Sequence, residues 1–238
     1  MLFLHEVHRI KGAAEDEFEA AYRDKGGWMD AMAHADRGSS ARLLWYLNQA
    51  HGSGPSYTVI TITAISDGAA WERLARRIQQ GELRPWMARL DTLRHDVTGS
   101  LLQALPWSPL GDDFDLGSVP TAGGEHGLSV YMEDTMWPHQ GMLGKYIERA
   151  GSHYTALLDR PEALLAIEAG FQPACGAGLR RQVSLLQKVR DPAGIVRLLT
   201  TEIAPERRQP GTWMHDALEL RDRWASRLLR TSSWSPRW

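Results

Sequence analysis

Apolar and polar residues alternate from Leu2 to Ile10, and Lys11-Gly12 closes the run, which predicts a β-strand. From Glu15 to Ala35 the spacing becomes helical through Phe18, Tyr22, Met29 and Met32, with a break or bend at Gly26-Gly27. Arg42 to Gln49 and Tyr57 to Ile65 are rich in β-branched and aromatic residues and read as two strands. The loop between them is His51-Gly52-Ser53-Gly54-Pro55. Asp67-Gly68 opens a helix through about Gln80, Pro85 begins a short helical turn, and Thr98 to Leu105 is a closing strand. The predicted order is β-α-β-β-α-β.

The same plan returns in the second half. Residues 86–109 laid on 213–236 without a gap give nine identities in 24 positions, where chance gives roughly one or two. Among them are Trp86-Met87 with Trp213-Met214, Arg94 with Arg221, and Trp107-Ser108-Pro109 with Trp234-Ser235-Pro236, all 127 positions apart. Glu6 and Glu133 share that offset. The second copy is expected to place strands at Leu128–Thr135, Arg181–Val189, Ile195–Ile203 and Ser226–Thr231, with helices at Gln140–Leu158 and Trp213–Arg221. Asp191-Pro192-Ala193-Gly194 is read as the turn of its strand pair, and Pro161 to Gly178 as an insertion before it. The domains expected are therefore repeat one at 1–110, a Gly/Asp/Pro/Ser-rich linker at 111–127 and repeat two at 128–238.

A net charge of −2 argues against an electrostatic nucleic-acid binder. With Cys175 as the single cysteine, no intrachain disulfide can form, which fits a reducing, cytoplasmic setting. The opening residues become charged too early for a signal-peptide core, and no apolar run is long enough for a membrane span. Ten tryptophans are the compositional oddity. They either line an aromatic cavity or, as large aromatics more often do, fill cores and interfaces.

A β-α-β-β-α-β unit makes a four-stranded antiparallel sheet with both helices on one face, the ferredoxin-like α+β plan. Two such units in one chain economically pack their bare faces together as an α/β barrel, whose interior is open or filled according to side-chain size. Leu4-His5-Glu6-Val7-His8-Arg9-Ile10-Lys11-Gly12, leading into Phe18 and Tyr22, resembles the opening strand and helix of NIPSNAP-type proteins. These are part of the dimeric α/β-barrel superfamily, here as a tandem repeat. Lys11 stands where the family has the proline of a strand-ending Pro-Gly. The resemblance implies the barrel fold. The wider superfamily spans cofactor-free monooxygenases, polyketide cyclases, lactone isomerases and haem enzymes such as chlorite dismutases, so fold alone does not choose a chemistry.

Strand alternation groups Leu2, Leu4, Glu6 and His8 on one face and Phe3, His5, Val7 and Arg9 on the other. With the more apolar faces assigned to the helices, Glu6, His8, Tyr46, Asn48, Tyr57 and Thr61 are expected on the helix-free face. Glu133 and Tyr131 join them from the second copy. A desolvated carboxylate has a raised pKa and works as a general acid or base, so Glu6, Glu133 and His8 are the catalytic candidates. Tyr46, Asn48, Tyr57 and Tyr131 are the substrate-binding candidates. Against this stands ion pairing of the glutamates with arginines. His5 and His8 point to opposite faces and cannot hold one metal together, so no metal site is expected; Glu6 and His8 with a distant ligand is the metal alternative. No cofactor is expected either. The haem-binding relatives imply the alternative, with His139 or His153 as axial ligand.

The reading is of a small-molecule protein that takes an apolar or aromatic compound and performs cofactor-independent acid/base chemistry, as a lyase, isomerase, cyclase or cofactor-free monooxygenase. A non-catalytic ligand-binding or scaffold protein is the alternative, and a haem-binding enzyme the second. Partners expected are that small molecule and further copies of the chain, since exposed strand edges invite pairing; nucleic acid and membrane are not.

Overall fold

The computed structural model describes residues 1–34, 40–176 and 181–238. Ala35, at the end of the first expected helix, and residues 177–178 of the expected insertion lie outside them. The architecture is mixed α+β, in two compact units. The first comprises residues 1–103, 112–129 and 229–238; the second comprises 104–111 and 130–228.

The first unit contains β1 (Leu2–Ile10), α1 (Glu15–Arg23), α2 (Trp28–Ala33), β2 (Ala41–Gln49), β3 (Thr58–Ile65), α3 (Gly68–Gln79), α4 (Arg84–Leu93) and β4 (Arg94–Ala104). Its strands run β4-β1-β3-β2, antiparallel throughout, which is the ferredoxin-like order. Helix α1 buries Phe18, Ala21 and Tyr22, the i, i+3, i+4 stripe that a sheet-packed helix requires. Asp67 caps α3 by accepting the Ala70 N–H at 2.8 Å. The core between sheet and helices gathers Phe18, Tyr22, Trp28, Met32, Leu43, Tyr46, Val59, Leu74 and Leu90. Trp28 stacks on Trp86 with ring centres 5.0 Å apart.

The second unit contains β5 (Val130–Trp137), α5 (Leu143–Arg149), α6 (Thr155–Leu158), β6 (Leu165–Pro173), β7 (Val183–Val189), α7 (Pro192–Thr200), α8 (Trp213–Asp216) and most of β8 (Arg223–Thr231). Strand order is β8-β5-β7-β6, the same plan. A π-helical turn at Ala150–Tyr154 joins α5 to α6. Three expectations fail in this half. The residues expected as an insertion supply β6, and Ile195–Ile203, expected as a strand, lies largely in α7. Asp191-Pro192 is the cause: the Asp191 carboxylate accepts the Ala193 N–H at 2.9 Å and Pro192 takes the first helical position, so the dipeptide starts a helix where a hairpin turn was expected. The expected helix Trp213–Arg221 is only one α turn followed by a 3-10 turn, Ala217–Glu219.

Each unit is completed by the tail of the other repeat. In the first, Trp234 enters the core against Tyr46, and Ser235 Oγ accepts the Tyr46 N–H at 3.1 Å. In the second, Trp107 Nε1 donates to Ile147 O at 2.8 Å, and Ser108 Oγ accepts the Gly170 N–H at 3.0 Å. The two Trp-Ser-Pro phrases thus do the same work in opposite units. Truncating a buried tryptophan costs about 3–5 kcal/mol. In Trp234→Ala, hydrogen exchange should therefore speed up in residues 1–103 while residues 130–228 keep their protection. Loss confined to 130–228 would contradict the tail assignment.

Candidate functional site

The hydrogen-bonded polar cluster of the first unit lies between its sheet and its helices. Alternation along β1 puts Leu2 and Leu4 against the helix-side core, and Glu6 and His8 follow on that face. His8 is fully buried, with its ring 5.1 Å from Phe18 and 5.8 Å from Tyr22 of α1. Tyr46 also faces α1, 5.5 Å from Tyr22. This inverts the expected assignment of faces. The helix-side surface of α1 is aromatic, and rings tolerate imidazole and phenol groups that hydrogen-bond one another, so the strand face carrying polar atoms is the covered one.

Arg94, the first residue of β4, organises the cluster. Its Nε and Nη2 donate to Asp91 Oδ1 at 3.0 and 2.5 Å, Nη2 also to Met87 Sδ at 3.2 Å, and Nη1 to His8 Nδ1 at 3.0 Å. Arginine only donates, so His8 Nδ1 must present a lone pair and the imidazole proton sits on Nε2. From there it donates to Thr61 Oγ1 at 3.0 Å, with the Tyr22 hydroxyl 3.3 Å away. Burial, and then the positive Arg94 and His5, holds the His8 pKa well below its ordinary value. His8 is therefore a neutral imidazole whose acceptor nitrogen is occupied, a poor candidate for the base it was expected to be.

Glu6 is differently placed. It keeps partial solvent exposure, and no hydrogen bond or ion pair holds its carboxylate among the described residues. Burial raises its pKa against the opposing pull of Arg94 and then His5. It pairs across the sheet with Gly99, whose missing side chain leaves room beside the Glu6 stem: a Cβ there would lie 3.9 Å from Glu6 Cγ.

Glu133 is not its structural counterpart. Lys11 N donates to Leu93 O at 3.0 Å in the first unit, and His139 N donates to Leu220 O at 2.8 Å in the second. Leu93 and Leu220 keep the offset of 127, but Lys11 and His139 are 128 apart. The first strands of the two units are thus shifted by one residue, and one residue exchanges the faces of a strand. Glu6 corresponds to Asp134 and His8 to Met136. Glu133 and Tyr131 occupy the helix-free face, opposite Met132 and Met136, and Glu133 is buried in an ion pair with Arg227. Asp134 has its pKa raised by burial despite hydrogen bonds from Ser226 and from Gln187 Nε2, the latter at 2.9 Å. Tyr154 OH donates to Gln187 Oε1 at 2.6 Å.

The remaining candidates scatter. Asn48 Nδ2 donates to Ser232 Oγ at 3.0 Å and is part of the tail anchor. Tyr57 precedes β3 in a loop, 51 % exposed, with a left-handed φ of 54° and its ring over Gly12. The recurrence of Arg94 at Arg221 marks both for ion pairing, which Asp91 supplies to Arg94; sequence reasoning missed the bond from Arg94 to His8, and missed Asp134 because the constant offset favoured its neighbour. His139 bonds the Leu218 carbonyl at 3.2 Å and His153 bonds Ser152 Oγ at 2.7 Å. His153 borders a pocket with Arg149, Trp213, Asp216 and Leu220 whose free volume is about 20 Å³, room for roughly one water and far below the ~300–1,000 Å³ usual for small-molecule sites. The residues about these histidines do not fit a haem.

No protein-family model matches the chain, and no curated protein matches it. Among solved structures, a monooxygenase candidate from Lactobacillus acidophilus aligns over 98 % of this chain and 96 % of its own, at 9 % identity and a TM-score of 0.59. An anthrone oxidase-like protein aligns over 97 % of this chain and 91 % of its own, at 8 % identity and a TM-score of 0.57. A NIPSNAP family protein from Agrobacterium tumefaciens covers 46 % of this chain and 97 % of its own, at 21 % identity and a TM-score of 0.36. The full-length likenesses share the ferredoxin-like α+β fold. No helix among the described residues is long and apolar enough to cross a membrane.

The neutral His8 has a thermodynamic consequence. Its folded pKa is depressed, so below about 6.5 the unfolded chain takes a proton that the folded chain refuses. Its contribution to stability is present above that pH and lost as pH falls through it. The urea midpoint should fall between pH 7 and pH 5, and His8→Gln should flatten that fall. An equal slope in the variant would mean that the fold does not depress the His8 pKa.

Proposed function

We propose that the chain binds a small apolar or aromatic molecule and performs cofactor-independent proton transfer on it, with the Glu6 carboxyl as acid/base. The observation that carries this reading is an unpaired, partly accessible carboxyl whose pKa is raised by burial. Such a group holds or releases a proton nearer neutrality than an exposed glutamate does. His8, as a neutral acceptor to Arg94, and Glu133, as the partner of Arg227, are less suited to that role. Tyr22, whose hydroxyl is fully buried and held far from ionising by desolvation and then by Glu6, is a neutral donor beside the carboxyl. The reading is of a cytoplasmic homo-oligomer, with the exposed free thiol of Cys175 consistent with a reducing compartment.

The likeness to an anthrone oxidase-like fold suggests the probe. Anthrone carries an acidic ring CH₂; a base that removes its proton leaves an enolate, and molecular oxygen converts anthrone to anthraquinone and water without a cofactor. Oxygen uptake with anthrone should be accelerated by the wild type and fall at least tenfold in Glu6→Gln, about 1.4 kcal/mol of barrier or more. The variant should fold. Because Glu6 has a raised folded pKa, the folded carboxyl stays protonated over a range where the unfolded one has ionised, and stability is lost as pH rises through that range. Glu6→Gln should accordingly gain stability over wild type with rising pH and match it below the ordinary carboxyl value of 4.5. Unchanged turnover in a folded variant would refute the assignment.

A further inference from the structure

Helices α3 and α7 hold the same place in the two repeats. Each follows the third strand of its unit, and each opens on a capping aspartate, Asp67 or Asp191. Their outward faces differ in kind. On α3 the exposed positions are Glu72, Arg73, Arg76 and Gln79, with Glu72 and Arg76 paired one turn apart at 2.7 Å. That is the solvated face of a surface helix. On α7 only Gly194 and Ile195 are buried. Val196, Leu198 and Leu199 are 59 %, 47 % and 66 % exposed, and Ile203, just beyond the helix, is 41 % exposed. Four of the ten exposed large apolar side chains among the described residues fall in these eight positions, so the exposure is concentrated rather than scattered. Together they present on the order of 400 Å² of apolar surface, a size at which patches mark interaction sites.

The charges of the stretch say what covers it. Arg197 lies towards one end and Glu202 towards the other, and neither side chain is in an ion pair among the described residues. A cation at one end and an anion at the other make a surface complementary to its own copy, because a twofold sets position i against j and j against i. Across residues 196–210, Arg197, Arg207 and Arg208 stand with Glu202 and Glu206, without the strong basic excess that binding to an anionic membrane surface uses. We propose that residues 196–203 are the contact surface of a twofold homodimer. Leu199 lies near the axis, Val196 of each copy meets Ile203 of the other, and Arg197 of each pairs with Glu202 of the other. The apolar side chains then form a dry centre and the charges its rim, within the ~800 Å² per partner of a standard interface. This inference rests on the homo-oligomer reading above and gives it a surface; the Glu6 chemistry does not depend on it.

Light scattering of the whole chain over a dilution series tests it. The wild type should give twice the chain mass of 26.7 kDa, with a Kd on the order of 10 µM or tighter. Leu199→Asp changes a side chain that lies mostly in solvent, so it should keep the wild-type circular dichroism spectrum. It would bury an unpaired charge at the axis and should weaken dimerisation at least tenfold. Arg197→Glu and Glu202→Arg should each weaken it, and the double variant should recover it, which no folding defect would do. A wild type that stays monomeric overturns the homo-oligomer reading together with the surface. A dimer that survives Leu199→Asp, or a double variant no tighter than the single ones, overturns the surface alone. A monomer that sediments with phosphatidylserine vesicles assigns the stretch to a membrane and also overturns the proposal.

Discussion

A guanidinium buried with unmet donors costs the fold several times what a satisfied one does, and the first unit is arranged around meeting the donors of Arg94. Five N–H groups leave a planar fork in fixed directions. Asp91 takes the side nearest water, Met87 sulfur fills a gap, and His8 turns its lone pair inward. That last bond sets the imidazole tautomer, which sends its proton to Thr61 and brings Tyr22 into the same network. Packing follows from it: Tyr22 touches His8, Phe18, Trp28, Tyr46 and Trp86 at ring-centre distances of 5.3–6.3 Å. One charge therefore fixes the orientation of a strand histidine, a helix tyrosine and the aromatic cluster beyond them.

Because that network absorbs His8, it also isolates Glu6. The carboxyl lies within the electrostatic reach of Arg94 without being bonded to it, and desolvation outweighs attraction. Partnered polar groups stabilise a fold, whereas an unpartnered acid in a protein interior stores a tendency to change protonation state. The first unit thus gives two residues of one strand face, which sequence alone grouped together, different electrostatic surroundings.

The element order was legible because it rests on local patterning: alternation in Leu2–Ile10, the helical stripe of Phe18 and Tyr22, and the paired tryptophan repeats. Where local signals were ambiguous, the reading slipped. Asp191-Pro192 is equally good as a turn and as a helix start, and the apolar run after it fits either period. Strand faces were not legible, since Leu2, Leu4, Glu6 and His8 are as mixed as their opposites; the helix that covers them decides. The Glu6–Glu133 match was the most persuasive identity at the constant offset, yet a single-residue shift before β5 makes Asp134 the counterpart. Hydrogen bonds across the sheet reveal such a shift, and identities cannot.

The exchange of tails bears on synthesis. Trp234 and Ser235 complete a core whose other buried members come from residues 10–93, so the first unit is unfinished until residues 234–235 have left the ribosome. A nascent first repeat would hold its strands and helices with the Tyr46 end of the core uncovered, and Ser235 would find the Tyr46 amide waiting, 189 positions upstream. Closure of that core is thus a late event, governed by the loop entropy of a long connection rather than by local helix or hairpin formation.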